Sequence, residues 1–392
     1  MASIYLDHAA TTPLRPEARE AWIEASTLLG NPSSIHGAGQ ASRRLLEESR
    51  ERIAQAVGAD PVEIVLTSGG TEAVNLGIGG LWHARRAAGA GVGIVVPEAE
   101  HPATLDSVSA LATAGAAITA VGVDADSVIG LDAWHRAVAA PETAVATLLA
   151  ANNETGALQP LGAALSASAD AGVPVHVDAV GAFGHVPLRF AELHAQGAAA
   201  MSLAAHKIGG PVGVGALVVA RDAVIEPMIR GGGQQRGLRA GTQDAAGAAA
   251  FAVAAELAVA ELDAEAARVS TLRDRLEARV RRLAPDARVS AAGVARLPGH
   301  LHVIFPGAQG DGILLLLDLA GIAVSTGSAC QAGTPEPSHV VRAMGLGEEA
   351  ARCAVRFTLG RTTTADDVDA VLAALPDALE RARRAGLSSR TV

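Results

Sequence analysis

Aromatic side chains are almost missing from this chain. Phe, Trp and Tyr make up 2% of its 392 residues, against a hydrophobic share of 49%. A core of this size must therefore be filled with Ala, Val, Leu and Ile. Cysteine is also scarce. Two in the whole chain exclude a disulfide framework and fit a reducing compartment. No CxxC pair is present, which argues against a structural zinc site. No block of like charge occurs, and the net charge is −10, so nucleic acid is not an expected partner. The longest apolar run, Ala248 to Ala255, stops at Glu256, far short of a membrane span. The N-terminus shows no basic region followed by an apolar segment, so no signal peptide is expected and the expected location is cytoplasmic.

The most informative scarcity is lysine. Of the 31 Lys and Arg residues only Lys207 is a lysine. A guanidinium stays protonated and is a poor carbonyl nucleophile, whereas an amine can lose its proton and form a Schiff base. Lys207 lies in Met201-Ser-Leu-Ala-Ala-His-Lys-Ile-Gly-Gly-Pro211, between two apolar runs. Poor solvation there disfavours its charged form. Codon bias that happens to spare one lysine is the competing reading.

What the chain has in quantity is alternation. Apolar strands are expected near 63–67, 93–96, 117–121, 144–149, 174–177, 199–203 and 215–219. Helical patterns separate several of them, at 72–88, 103–112, 131–139 and 161–171, and precede them at 16–28 and 40–57. Continuous apolar strands alternating with helices mean a mostly parallel sheet covered on both faces. A long helical stretch with a break, 245–283, leads out of this unit. The remainder reads α+β, with strands at 300–305, near 322 and at 354–359, and a last helix at 364–385.

Three features carry chemistry. Asp178 closes the apolar strand Val173-Pro-Val-His-Val-Asp178, where ligands bind in parallel sheets. Ser68-Gly-Gly-Thr-Glu72 joins a strand to a helix and offers backbone N–H groups to a phosphate. With Lys207 they make the set that pyridoxal phosphate needs: an amine, a carboxylate for the pyridine nitrogen and a phosphate turn. Cys330, set among Ser325-Thr-Gly-Ser-Ala-Cys-Gln-Ala-Gly-Thr-Pro335, is a nucleophile candidate on an expected exposed loop, or else an inert thiol. Cys353, at a strand start, reads as structural. His101, after a strand end, could reach the same crevice or lie on the surface.

The chain resembles the cysteine desulfurases of the NifS/IscS type, within the class V aminotransferase superfamily of fold-type I pyridoxal phosphate enzymes. The resemblance rests on Tyr5-Leu-Asp-His-Ala-Ala-Thr-Thr-Pro13, Thr67-Ser-Gly-Gly-Thr-Glu72, Glu100-His101, Asn152-Asn-Glu-Thr-Gly156, Asp178-Ala179, His206-Lys207, Arg239-Ala-Gly-Thr242, Gly327-Ser-Ala-Cys330 and Arg356-Phe-Thr-Leu-Gly360. It implies a large domain, residues 15–255, with a mostly parallel seven-stranded sheet between helices. It implies a small α+β domain, residues 1–14 and 256–392, carrying the Cys330 loop.

Residue by residue, the resemblance implies that Lys207 holds the cofactor and moves the α-proton, and that Asp178 pairs with the ring nitrogen. His101 stacks on the ring as an acid/base. Gly70, Thr71, His206 and the partner subunit's Thr242 bind phosphate. Asn153 and Arg356 hold the substrate carboxylate. Cys330 attacks the sulfur of L-cysteine, giving alanine and a persulfide that passes to a sulfur-acceptor protein, an iron–sulfur scaffold or a thiolation carrier. A homodimer with shared sites follows from Thr242. A selenocysteine lyase or another class V lyase or aminotransferase, and a weakly active sulfur-pathway scaffold, are the alternatives. Two positions depart from the family. Gly181 stands where a glutamine usually meets the pyridoxal 3-oxygen, and Ala204 where a phosphate-binding serine is common.

Overall fold

Why a chain this poor in aromatics holds one large sheet is visible strand by strand. The structure, a computed structural model, describes residues 4–327 and 336–388. It opens with β1 (Ile4–Tyr5), α1 (Pro16–Ser26) and α2 (Gly37–Val57). α2 ends at Gly58, whose left-handed φ of 70° closes the helix without a Cβ clash. The alternation follows: β2 (Ile64–Thr67), α3 (Gly70–Ala87), β3 (Gly93–Pro97), α4 (Pro102–Thr113), β4 (Ala117–Val121), α5 (Leu131–Val138), β5 (Thr143–Leu149), α6 (Leu161–Asp170), β6 (Val175–Asp178), α7 (Phe190–Ala195), β7 (Ala198–Ala204) and β8 (Gly215–Val219).

These strands form one seven-stranded sheet in the order β2-β8-β7-β6-β5-β3-β4. β8 runs antiparallel to both neighbours, and the remaining pairs are parallel. Side chains along β8 alternate between two cores. Ala216 and Val218 pack on the face covered by α2, α6 and α8 (Ala245–Ala260), and Leu217 and Val219 on the face covered by α3 and α4. Small residues suit this layer. Ala248, Ala250, Ala252, Ala254 and Ala255 let α8 lie close against α1 and α2, with Phe251 fully buried among them.

The long helical pattern at 245–283 is two helices, α8 and α9 (Leu262–Leu283), which meet at 70°. The chain continues through β9 (Arg288–Val289), β10 (His300–Ile304), α10 (Gly310–Leu319), β11 (Ile322–Ala323), α11 (His339–Ala343), α12 (Gly347–Arg352), β12 (Ala354–Thr358) and α13 (Ala365–Ser388). β12, β10 and β9 form an antiparallel sheet, and β1 pairs in parallel with β11. A second core unites Leu6, Val269, Leu276, Leu301, Val303, Ile313, Phe357, Val368 and Leu375. The architecture is the expected one: a mostly parallel seven-stranded sheet between helices, accompanied by a smaller α+β part. The sequence reading missed α7, α11 and α12, each of five or six residues, too short to display a helical period.

Candidate active site

The parallel strands β5, β6 and β7 end side by side, with Leu149 opposite Asp178 and Asp178 opposite Ser202. A cavity of about 270 Å³ opens above those ends. Asp178, the last residue of β6, lines it. β7 runs into a single 3-10 turn, Ala205–Lys207, which delivers His206 and Lys207 to the same space. Lys207 Nζ donates to the carbonyls of Ala9 and, at 3.0 Å, Ala10. β3 leads to Glu100 and His101, and His101 caps α4 by accepting from Ala103 N at 3.1 Å through Nδ1. The turn after β2 places Gly70 and Thr71 in the first turn of α3, facing the cavity. Gly69 takes φ 148°, a value that suits glycine. A Cβ on Gly70 would stand 2.7 Å from Val180 Cγ2, so only glycine fits there without a shift. Glu72 closes this turn. It accepts from Ser68 N at 2.7 Å and pairs with Arg239 at 2.8 Å.

Burial sets the protonation of these groups. It pushes the Asp178 carboxyl up to about 6, although Val180 N donates to it and Lys207 is near. A carboxylate in that state gains from a cationic partner. Burial, with Lys207, His339 and Arg356 nearby, holds the His101 imidazole down at about 4, so the ring is neutral at pH 7. Burial and Lys207 do the same for His206, also to about 4. Glu100, wholly enclosed and near Asp178, is pushed up to about 8 and holds its proton.

The opposite wall comes from the small sheet. Arg356, on β12, is 3% exposed. Its Nη1 donates to Asn153 O at 2.7 Å and its Nη2 to Asp7 Oδ1 at 2.8 Å. Its Nε and the Asn153 Oδ1 are buried with no hydrogen-bond partner among the described residues. His300, Thr358 and Leu359 complete this wall. Sequence reasoning gave no role to Asp7, His8, His185 or His300, which all bear on the site. Asp7 and His8 lay inside the quoted N-terminal motif, which was the one available signal.

The residues fit pyridoxal phosphate. The amine, the buried strand-end carboxyl and the turn that admits no Cβ at Gly70 share one cavity. Of the expected site residues, Lys207, Asp178, His101, Gly70, Thr71, His206, Asn153 and Arg356 all line it. Thr242 does not. It is exposed on its own chain. Cys330 lies outside the described residues, whereas Cys353 is buried at 4% exposure beside β12. Among the described residues no group of three or more His, Cys, Asp or Glu could hold a metal. Gly181 lines the cavity without a left-handed φ, and a Cβ there would meet only Ala151 O, at 3.9 Å.

Comparison with known proteins agrees with this geometry. The aminotransferase class-V family matches residues 4–371. An IscS-like cysteine desulfurase of Mycobacterium tuberculosis is 45% identical, over 98% of each chain. A solved NifS-like protein superposes with a TM-score of 0.89 at 32% identity, covering 97% of this chain and all of that one. A structure of SspA in complex with cysteine superposes with a TM-score of 0.78 at 28% identity, covering 92% of this chain and all of that one. The chain belongs to the class-V aminotransferase family, among the cysteine desulfurases of the NifS/IscS type.

Proposed function

We propose that the protein is a pyridoxal phosphate-dependent cysteine desulfurase that converts L-cysteine to L-alanine and leaves the sulfur as a persulfide on Cys330. One observation carries the reading: the only lysine of the chain enters the same cavity as the strand-end carboxyl Asp178. The SspA neighbour, solved with cysteine, supports cysteine as the substrate.

Pyridoxal phosphate, when bound, supplies an electron sink for the carbon next to the substrate amine. Lys207 Nζ would be its covalent anchor and would move the α-proton. Asp178, whose buried carboxyl gains from a cation, keeps the pyridine nitrogen protonated. Gly70 and Thr71 offer the N-terminus of α3 to the phosphate, helped by His206 and by the partner subunit's Thr242. Arg356 and Asn153 hold the substrate carboxylate, for which a planar guanidinium is suited. His101, neutral at pH 7, can both accept and donate a proton. In the sulfur step the Cys330 sulfur bonds to the substrate sulfur as the substrate Cβ–S bond breaks. The electron pair stays with the carbon fragment, which takes up a proton and leaves as alanine. No outside oxidant is required.

The protein then works as a cytoplasmic homodimer. Residues 15–255 form its large domain, and residues 1–14 with 256–392 the small one. It hands sulfur to an iron–sulfur scaffold or a thiolation carrier. Incubation with L-cysteine tests the reading. Alanine and, with a thiol reductant, sulfide should form in equal amounts, and Cys330→Ser should form neither. Alanine production by Cys330→Ser would overturn it.

A further inference from the structure

Glu154 is a buried carboxyl that the reaction above leaves unused. It stands on the turn that follows β5 and is 0% exposed. Its neighbour Asn153 lines the cavity and accepts from Arg356. The Glu154 side chain meets both brackets of the segment that carries Cys330. Oε2 accepts a hydrogen bond from Ser338 Oγ. On the other side Gly327 lies so close that a Cβ there would overlap Oε2. His339 adds to this end. Its Nδ1 lies 4.0 Å from Glu154 Oε1, and its Nε2 ring nitrogen is 2.8 Å from the carbonyl of Glu100, next to His101. Oε1 has no hydrogen-bond partner among the described residues, and burial pushes the carboxyl up from its ordinary range. An enclosed carboxyl with an unsatisfied oxygen costs stability where it stands. What it gains in return is a junction between two regions far apart in sequence.

We propose that Glu154 is a positioning residue for the sulfur step, resting on the reading of Cys330 and Asn153 given above. It holds Ser338 by a hydrogen bond and packs closely against Gly327, from the turn that carries Asn153. The segment bearing the nucleophile and the group holding the substrate carboxylate are thereby referred to one short piece of backbone. Ten residues, 328 to 337, separate the two pinned points. Fixing the ends of so short a stretch raises the effective concentration of its thiol at the pocket. Letting one end go lowers that concentration and misplaces the sulfur, an error of the kind that costs about 100-fold per ångström in rate. Gly327 belongs to the same device, because any larger residue displaces the carboxylate.

The experiment uses the cofactor-loaded protein and separates two steps. Exchange of the cysteine α-proton for solvent deuterium reads the pocket and Lys207. Alanine formation reads the sulfur step. Glu154→Ala should keep exchange within about twofold while alanine formation falls about 10- to 100-fold. Glu154→Gln retains an acceptor for Ser338 Oγ and should recover to within a few-fold. Ser338→Ala, which removes a single oxygen, should show a smaller fall in alanine with exchange intact. Wild-type alanine formation by Glu154→Ala overturns the proposal. So does a parallel loss of exchange and alanine in both Glu154 variants, which would place the effect in the pocket or the fold. If Glu154→Ala does not fold, Ser338→Ala decides, and unchanged alanine formation there overturns the proposal. Cys330→Ser is the control: exchange without alanine keeps the underlying reading, and alanine formation defeats that reading instead.

Discussion

The wall of the cavity made by the large sheet and the wall made by the small one are assembled from different kinds of parts. On the first, Asp178, His206 and Lys207 sit at or just beyond the ends of neighbouring parallel strands, so the sheet register brings their backbones together, and only the Lys207 amine reaches far in sequence, to the carbonyls of Ala9 and Ala10. On the second, Arg356 is oriented by Asp7, 349 positions away, and by the carbonyl of Asn153. The first wall is local geometry repeated strand by strand. The second is a set of long-range hydrogen bonds. A substitution on the first should strike the chemistry itself, and one on the second should strike how substrate is held.

The largest expected effect is on the first wall. Lys207→Ala should abolish turnover. Because no other lysine exists, borohydride reduction of the wild type should fix pyridoxal in a single peptide, the one with residue 207. Peptide mapping checks this, and label confined to the N-terminal amine would break the assignment. Lys207→Arg should fail equally, since guanidinium does not lose its proton.

Asp178 comes next. Burial raises its pKa from 3.8 to about 6 in the cofactor-free chain. A raised carboxyl binds its proton more tightly when folded, so its stabilising share is complete below pH 3.8 and is lost as pH rises through about 6. Roughly two units correspond to about 3 kcal/mol. Cofactor-free Asp178→Asn should therefore lose less stability than the wild type across that window, by urea titration at each pH. Identical slopes would mean that Asp178 is not so enclosed.

On the second wall, Arg356→Gln should raise KM for L-cysteine by roughly 10- to 100-fold, because hydrogen bonds to charged groups are worth about 1.5–3 kcal/mol. Asp7→Asn keeps the partner's shape and should change KM by only a few-fold. If Asp7→Asn were as harmful as Arg356→Gln, the aspartate would be doing more than aligning the guanidinium.

At Gly181 the expected effect is a gain in cofactor affinity and leaves the chemistry untouched. The position has no left-handed φ, and the space where a Cβ would stand is open apart from Ala151 O. Gly181→Gln should tighten cofactor binding by up to about tenfold through one added hydrogen bond. Dialysis at fixed pH measures it, and unchanged or faster loss would mean that another group already occupies that place.

The same contrast explains what the sequence could and could not reveal. Lys207, Asp178 and the Gly70-Thr71 turn were legible because each follows a recognisable apolar strand, and strand ends in such sheets bind ligands. Glu154, His300 and the partnership of Asp7 with Arg356 were not, because their meaning lies in partners on other elements. The reversed direction of β8 was hidden for a related reason: five buried apolar residues carry no mark of strand polarity. Cys330, outside the described residues, rests on its small, turn-forming flanks and on the family motif.

The pairing of Asp7 with Arg356 also bears on the order in which the molecule can be made. A chain synthesised only as far as Gly327 already contains Lys207, Asp178, His101 and the phosphate turn, and every strand of the seven-stranded sheet. It contains no β12, so Asp7 has no guanidinium to meet and β10 lacks the longer of its two partners. The N-terminal arm must therefore wait, unanchored at Asp7, until nearly the whole chain has left the ribosome. The large-sheet wall of the cavity can precede the wall that carries Arg356.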